Sequence, residues 1–235
     1  MELAGKSVLV TGASSGIGKA IAIAFAQKHA RVLVHYGKNK NGGRETLDKV
    51  EKFSSARLYQ ADLMDRDQIR ALFDEIKQTN QTIDILVNNA GDARAGDIQD
   101  DPVWDYEYKN IFLSAMHVTE KFLALPSSAL RKIINITSIY GNLHTKAALA
   151  NVTATLNRTT APNVIVNAVA PGYTETPAWA GSSKESREAC ARATLTGRFV
   201  RAEEVAHAVI FIAENDALVG QVLTLDGGTT LKGMP

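Results

Sequence analysis

Three glycines near the start of the chain are spaced to receive a phosphate. They lie in the run Thr11-Gly12-Ala13-Ser14-Ser15-Gly16-Ile17-Gly18, which follows an apolar stretch and opens an amphipathic one. Glycine lets the backbone turn tightly and approach a pyrophosphate. The start of the next helix offers unpaired N–H groups and a partial positive charge. The spacing is G-x-x-x-G-x-G rather than G-x-G-x-x-G, so the strand before and the helix after carry the reading; a glycine-rich turn is the bland alternative. The second apolar stretch ends Val34-His35-Tyr36-Gly37-Lys38-Asn39-Lys40. An NAD site of this kind places Asp or Glu there, to bind ribose hydroxyls. Here there is no carboxylate, two lysines follow, and Lys19 lies just past the glycine loop. Positive charge suits a 2′-phosphate, which favours NADP(H) over NAD(H), with ordinary solvated charges as the alternative.

Other chemistries find less support. His35, His117 and His207 are scattered without metal-ligand spacing and read as surface or partly buried side chains, so no metal site is expected. Ser138 and His144 lack the G-x-S-x-G elbow of a hydrolase. Cys190, the single cysteine, sits among Ala189, Ala191 and Ala193 as a small-residue helix face, with no base motif to activate a thiol.

The elements that must position these residues follow from the apolar runs. Strands are predicted over 7–11, 31–36, 56–60, 83–88, 132–137, 164–170 and 222–225, several of them rich in Val and Ile as strands buried on both faces are. Helices are predicted over 18–28, 44–53, 66–78, 103–123, 146–158 and 202–213, the last with Val205, Val209 and Ile212 in one stripe. Asp65 and Asp101 are candidate N-caps, and Pro102 suits a first helical turn. Alternation of this kind implies βαβ units: an α/β, doubly wound parallel sheet of about seven strands with helices on both faces. With no linker or repeat, residues 1–235 read as a single dinucleotide-binding domain, whose ligand sits at the carboxyl ends of the strands. Lys plus Arg total 26 against 25 Asp plus Glu, a balance that gives no electrostatic case for nucleic acid. The opening residues carry no secretion signal and no apolar run is long enough for a membrane helix. One cysteine excludes an intrachain disulfide, so a cytoplasmic location is expected.

Further motifs stand in a fixed order: Asn88-Asn89-Ala90-Gly91 after the fourth strand, Asn110 in the next long helix, Ser138 at the end of the fifth strand, and Lys146 opening the helix after it. Pro171-Gly172 follows the sixth strand, with Thr174 and Thr176 beyond, and Asp226-Gly227-Gly228 closes the last. In this combination the chain resembles the classical short-chain dehydrogenase/reductase family over essentially its whole length. Among subgroups it is most similar to the 3-oxoacyl-carrier-protein reductases and related small carbonyl reductases. The resemblance implies that Gly12, Ser14, Gly16, Ile17 and Gly18 surround the pyrophosphate, with Tyr36 a cofactor contact at the end of the second strand. It places Asp62 by the adenine with Leu63 beside it. Asn89, Ala90 and Gly91 would contact the adenine-side ribose and support the sheet. Pro171, Gly172, Thr174 and Thr176 would hold the nicotinamide end. Asn88 reads instead as a sheet-end side chain tying backbone together. Asp226-Gly227-Gly228 reads as a tight turn, or as a subunit-contact region of the homotetramer the family suggests. Trp179 would line the substrate pocket or pack beneath a lid.

The implied substrate is a small carbonyl compound or alcohol. In the family, Ser138 would polarise the carbonyl oxygen and Asn110 would hold a relay water. Lys146 would bind ribose and lower the pKa of a proton-donating tyrosine four residues before it. At an effective dielectric of about 20, two charges about 4 Å apart interact by about 4 kcal/mol, or about three pKa units, enough to bring a tyrosine from about 10 to near 7. This sequence has Asn142 at that position. Tyr140 is six residues from Lys146, about 120° off its helical face, and His144 is nearly opposite. Only seven residues separate Ser138 from Lys146, about half the family's usual number. The connections from Gly91 to Asn110 and from Asn215 to Gly220 are also short. Three readings fit: a sequence from which a loop has been left out, a real shortening that ends the family's reaction, or Tyr140 moved into the vacated place. An intact mass of 25.3 kDa would sink the first. The second would leave a dinucleotide-binding sensor or interaction protein without catalysis.

Overall fold

The computed structural model describes residues 1–79, 82–92, 101–127, 129–139 and 144–232. In chain order the first half runs β1 (Ser7–Val10), α1 (Gly16–Gln27), β2 (Arg31–Tyr36), α2 (Lys40–Val50), β3 (Ala56–Gln60), α3 (Arg66–Gln78) and β4 (Ile85–Asn88). It continues through α4 (Asp101–Glu107), a π-helical turn (Tyr108–Leu113), α5 (Ser114–Leu123), β5 (Arg131–Ile136), α6 (His144–Thr160) and β6 (Val164–Pro171). The chain then forms β7 (Thr174–Glu175), α7 (Lys184–Ala193), β8 (Val200–Arg201), α8 (Ala202–Glu214), β9 (Val222–Leu225) and α9 (Thr229–Lys232). Seven strands make one parallel sheet in the order β3-β2-β1-β4-β5-β6-β9, as the strand–helix alternation predicts. The order reverses between β1 and β4, the crevice where such sheets bind ligands.

Alternate residues of each central strand feed two separate cores. Val8, Val10, Val32, Val34, Val87 and Ile134 face α1 and α8, meeting Ile21, Phe25, Val205, Val209 and Ile212. Leu9, Leu33, Leu86 and Ile133 face the other way, onto Ile69, Leu72, Phe73 and Ile76 of α3 and Val118 and Phe122 of α5. Each large side chain so buried contributes about 1.5–3 kcal/mol. Burial on both faces is why these strands read as near-continuous apolar runs.

Asp65 caps α3, accepting from the N–H groups of Asp67 at 2.8 Å and Gln68 at 3.3 Å. Asp101 is the first residue of α4, and its side chain lies outside what is described. The helix predicted over 103–123 carries a π turn in its middle, with Asn110 inside it. The small ladder of β7 with β8 and helix α7 were not predicted as elements. Cys190 does lie on a helix, α7, but no residue of α7 is buried, so its small residues form no buried face. Among the described residues, no helix is long and apolar enough to cross a membrane.

Candidate active site

The glycine loop leaves β1 at the switch point and enters α1 with its amides open. Ser15, before the first helical residue, is fully extended and makes no side-chain cap, and no acidic residue stands in the first turn. An uncapped helix N-terminus without local negative charge fits a phosphate. Two glycines are required here. Gly12 sits at φ +65°, and a Cβ on it would lie 2.8 Å from the Ala90 Cα. A Cβ on Gly18 would collide with the Asn89 amide nitrogen and the Gly12 carbonyl.

The Asn88–Gly91 segment braces this loop. Thr11 Oγ1 donates to the Val87 carbonyl at 3.1 Å and accepts from the N–H groups of Asn89 and Ala90 at 2.9 and 3.0 Å. Asn89 Nδ2 donates to the carbonyls of Thr11 and Gly12 at 2.8 and 3.2 Å. The Asn89 amide nitrogen is therefore spent on the glycine loop. Asn88 Nδ2 donates to Thr119 Oγ1 and Asn135 Oδ1, both at 3.0 Å, and Asn135 Nδ2 passes the chain on to Thr153 at 2.9 Å. Asn88 thus ties β4 to β5 and α5.

At the end of β2, Tyr36 is buried with its ring turned onto Gly43 of α2, so it presents backbone rather than an open ring there. Asp62, just past β3, accepts from the Met64 N–H at 3.0 Å, with Leu63 buried beside it. Lys38 and Lys40 are exposed. Lys19 pairs with Glu45 at 2.6 Å, and Glu45 also meets Lys49 at 3.3 Å; the two lysines hold its carboxyl below the usual range. Lys19 therefore shares a single carboxylate with Lys49. Asn39, between the two loop lysines, caps α2 by accepting from the Gly42 N–H at 3.0 Å.

His35 was read as a surface or partly buried histidine, and the structure corrects that. It is 1% exposed, and its ring lies between the Gly12 N–H and the Ala61 carbonyl, 3.1 Å from each. Burial pushes its imidazole down to about 4. The available signal was its place in an apolar strand, since a buried polar side chain must find partners. Thr11 was likewise missed as a brace.

At the other end of the site, Lys146 lies in the first turn of α6 and donates to the Ile136 carbonyl at 2.7 Å. Burial lowers its ammonium to about 8. That bond brings Lys146 to the end of β5, two residues before Ser138. The π turn packs against α6, so Asn110 belongs to the same neighbourhood. Asn110 Nδ2 donates to the Asp92 carbonyl at 3.1 Å and to Asp92 Oδ1 at 2.6 Å, while its own carbonyl accepts from Ser114 Oγ at 2.6 Å. Tyr140 and Asn142 lie outside the described residues.

The segment after β6 closes over the loop. Pro171 ends β6, the Gly172 N–H donates to the Leu225 carbonyl at 3.0 Å, and Thr174 Oγ1 donates back to the Gly172 carbonyl at 2.9 Å. The Thr176 methyl carbon stands 3.3 Å from where a Cβ would sit on Gly16, so this segment lies on the glycine loop. Beyond it Trp179 packs edge-on to Tyr173 and Phe199, with centroids 5.9 and 4.9 Å away. Asp226 caps α9, accepting from the N–H groups of Gly228 and Thr230 at 2.8 Å each, which gives the Asp226-Gly227-Gly228 turn a local cause.

The chain is similar to known proteins along nearly its whole length. A family model described as enoyl-(acyl carrier protein) reductase matches residues 12–230. A curated relative from Thermotoga maritima, named 3-oxoacyl-[acyl-carrier-protein] reductase FabG, is 33% identical over 98% of this chain and 100% of its own length. That alignment runs over 251 positions, more than the 235 residues present here, so the relative carries residues this chain lacks. The crystal structure of the angucycline C-6 ketoreductase LanV with bound NADP superposes with a TM-score of 0.90 at 28% identity, covering 98% of this chain and 97% of that one. The reductase LugOII, described as catalysing keto-reduction at C1 in lugdunomycin biosynthesis, gives 0.89 at 30% identity over 98% and 100%. With the glycine loop at the switch point, the Asn88–Gly91 brace behind it, and a match along nearly the whole chain, the protein belongs to the short-chain dehydrogenase/reductase family and is an oxidoreductase of that type.

Proposed function

We propose that the protein, as one catalytic domain over residues 1–235, interconverts a carbonyl compound and a secondary alcohol using NADP(H) in preference to NAD(H). The observation that carries this is the open N-terminus of α1, with the Thr176 segment lying on its glycine loop and Lys146 drawn to the strand end that leads to Ser138. Gly12, Ser14, Gly16, Ile17 and Gly18 would hold the pyrophosphate, Asp62 and Leu63 the adenine, and Pro171, Gly172, Thr174 and Thr176 the nicotinamide end. Asn89, Ala90 and Gly91 would line the ribose side. The absence of a carboxylate at the end of β2 and the exposed Lys38 and Lys40 support the phosphorylated cofactor, as does the NADP in the LanV structure. When bound, the dinucleotide supplies the hydride. Ser138 would hold the carbonyl oxygen, Lys146 the ribose, and Asn110 a relay water at the oxygen of its side-chain amide. The proton is assigned to Tyr140, the one phenol between Ser138 and Lys146.

The missing tyrosine four residues before Lys146 favours a second reading, dinucleotide binding without turnover. Fluorescence titration with NADPH and NADH, followed by a panel of carbonyl substrates, decides between them. The proposal expects tighter NADPH binding and turnover of at least one carbonyl. Tight binding with no turnover on any of them supports the second reading. The single cysteine suits a cytoplasmic setting, and a small-molecule substrate needs neither nucleic acid nor membrane. A homotetramer is supported by the apolar edge of the sheet. Among the described residues β9 pairs with β6 alone and leaves Val222 and Leu223 40% and 37% exposed, and Phe211 on α8 is 54% exposed.

A further inference from the structure

We propose that His35 is the residue that positions the glycine loop for its dinucleotide, by holding the loop's first two amides and tying them to the end of β3. The Gly12 N–H can only donate, so His35 Nδ1, 3.1 Å away, presents its lone pair. The Ala61 carbonyl can only accept, so Nε2, also 3.1 Å away, carries the proton. The two partners together fix one tautomer of the neutral ring. The depressed imidazole pKa, about 4, agrees with that state. The main-chain carbonyl of the same residue accepts from the Ala13 N–H at 2.8 Å. Gly12 and Ala13 therefore have no amide left for a phosphate, and an anion is left to the amides from Ser14 to Gly18.

The other end of the ring reaches the strand that carries the adenine wall. Ala61 immediately precedes Asp62, and its N–H donates to the Tyr36 carbonyl at 3.2 Å. A single stiff ring thus sets the separation between the pyrophosphate turn and the adenosine pocket. This inference rests on the dinucleotide reading above, and it adds a residue that the family motifs do not include.

Substitutions separate the two bonds. In His35→Asn the side-chain oxygen takes the place of Nδ1 and keeps the Gly12 bond. His35→Gln reaches Ala61 but gives up Gly12. His35→Leu fills the space and leaves both backbone groups unpaired. NADPH and NADH are titrated onto the full-length wild type and each variant, and kcat and KM for NADPH are measured on a ketone that the wild type reduces. Folding is checked by circular dichroism. Asn and Gln, each keeping one of the two bonds, are expected about 3- to 10-fold weaker than wild type and Leu at least about 10-fold weaker, KM rising in step and kcat within about 2-fold. Wild-type affinity in the Leu variant overturns the proposal, as does wild-type affinity in both the Asn and Gln variants. If the wild type binds neither dinucleotide, the underlying reading falls and takes the proposal with it. If it binds and the variants match it, the proposal falls alone.

Discussion

Two buried titratable side chains, His35 and Lys146, are both disfavoured as cations, in different ranges of pH. His35 is neutral in the fold, at about 4 against an ordinary 6.5, mainly because burial disfavours its charged form; the nearby Asp62 pulls the other way. Between those values the unfolded chain takes up a proton that the folded one refuses, so stability falls as pH drops from 6.5 to about 4 and is flat below. The full loss is about 3 kcal/mol. In His35→Asn that part of the acid dependence should vanish, visible as a smaller shift in urea midpoint between neutral and acid pH. Lys146, at about 8 against 10.5, is also disfavoured as a cation by burial. Its penalty is complete below about 8 and is relieved as pH rises toward 10.5. Lys146→Met should therefore raise stability at neutral pH by about 1 kcal/mol, after the unpaired Ile136 carbonyl is counted, and should lower turnover at least about 100-fold. Thermal melts and initial rates on one preparation check both signs. A lysine retained at a cost in stability is what a reacting site requires.

Among the elements, the glycine loop with α1 makes the sharpest prediction. Gly18→Ala puts a methyl against Asn89 and the Gly12 carbonyl, and both hold the loop's shape. It should cost about 1–3 kcal/mol in stability and weaken NADPH at least about 10-fold, read by denaturation and fluorescence titration. This loop, the sheet strands and α3 were legible in the sequence because buried strands and a capped amphipathic helix leave strong periodic signals. The π turn was not, since one extra residue per turn changes no composition, yet it carries Asn110. Helix α7 was missed as an element because it buries no residue and so imposes no apolar stripe. His35 was legible only as a polar residue in an apolar strand; its partners come from a turn twenty-three residues earlier and a strand end twenty-six later.

At the scale of the molecule, strand–helix alternation is enough to specify the doubly wound sheet, because parallel strands need crossovers and crossovers have one hand. The candidate site follows from that topology, with its parts drawn from the ends of six strands, β1 to β6. The catalytic segment was less legible, because the family's spacing fails between Ser138 and Lys146. The sheet edge at β9 supports the proposed association: Val222→Lys with Leu223→Lys should shift light-scattering mass from the proposed tetramer toward smaller species, and an unchanged mass would place the contacts elsewhere. The central claim is hydride transfer to a carbonyl. Its most direct test uses NADPH carrying deuterium at the nicotinamide carbon that gives up the hydride, incubated with the enzyme and a ketone. The account predicts an alcohol with deuterium on its carbinol carbon. NADPH bound tightly with no labelled alcohol formed from any ketone would contradict it.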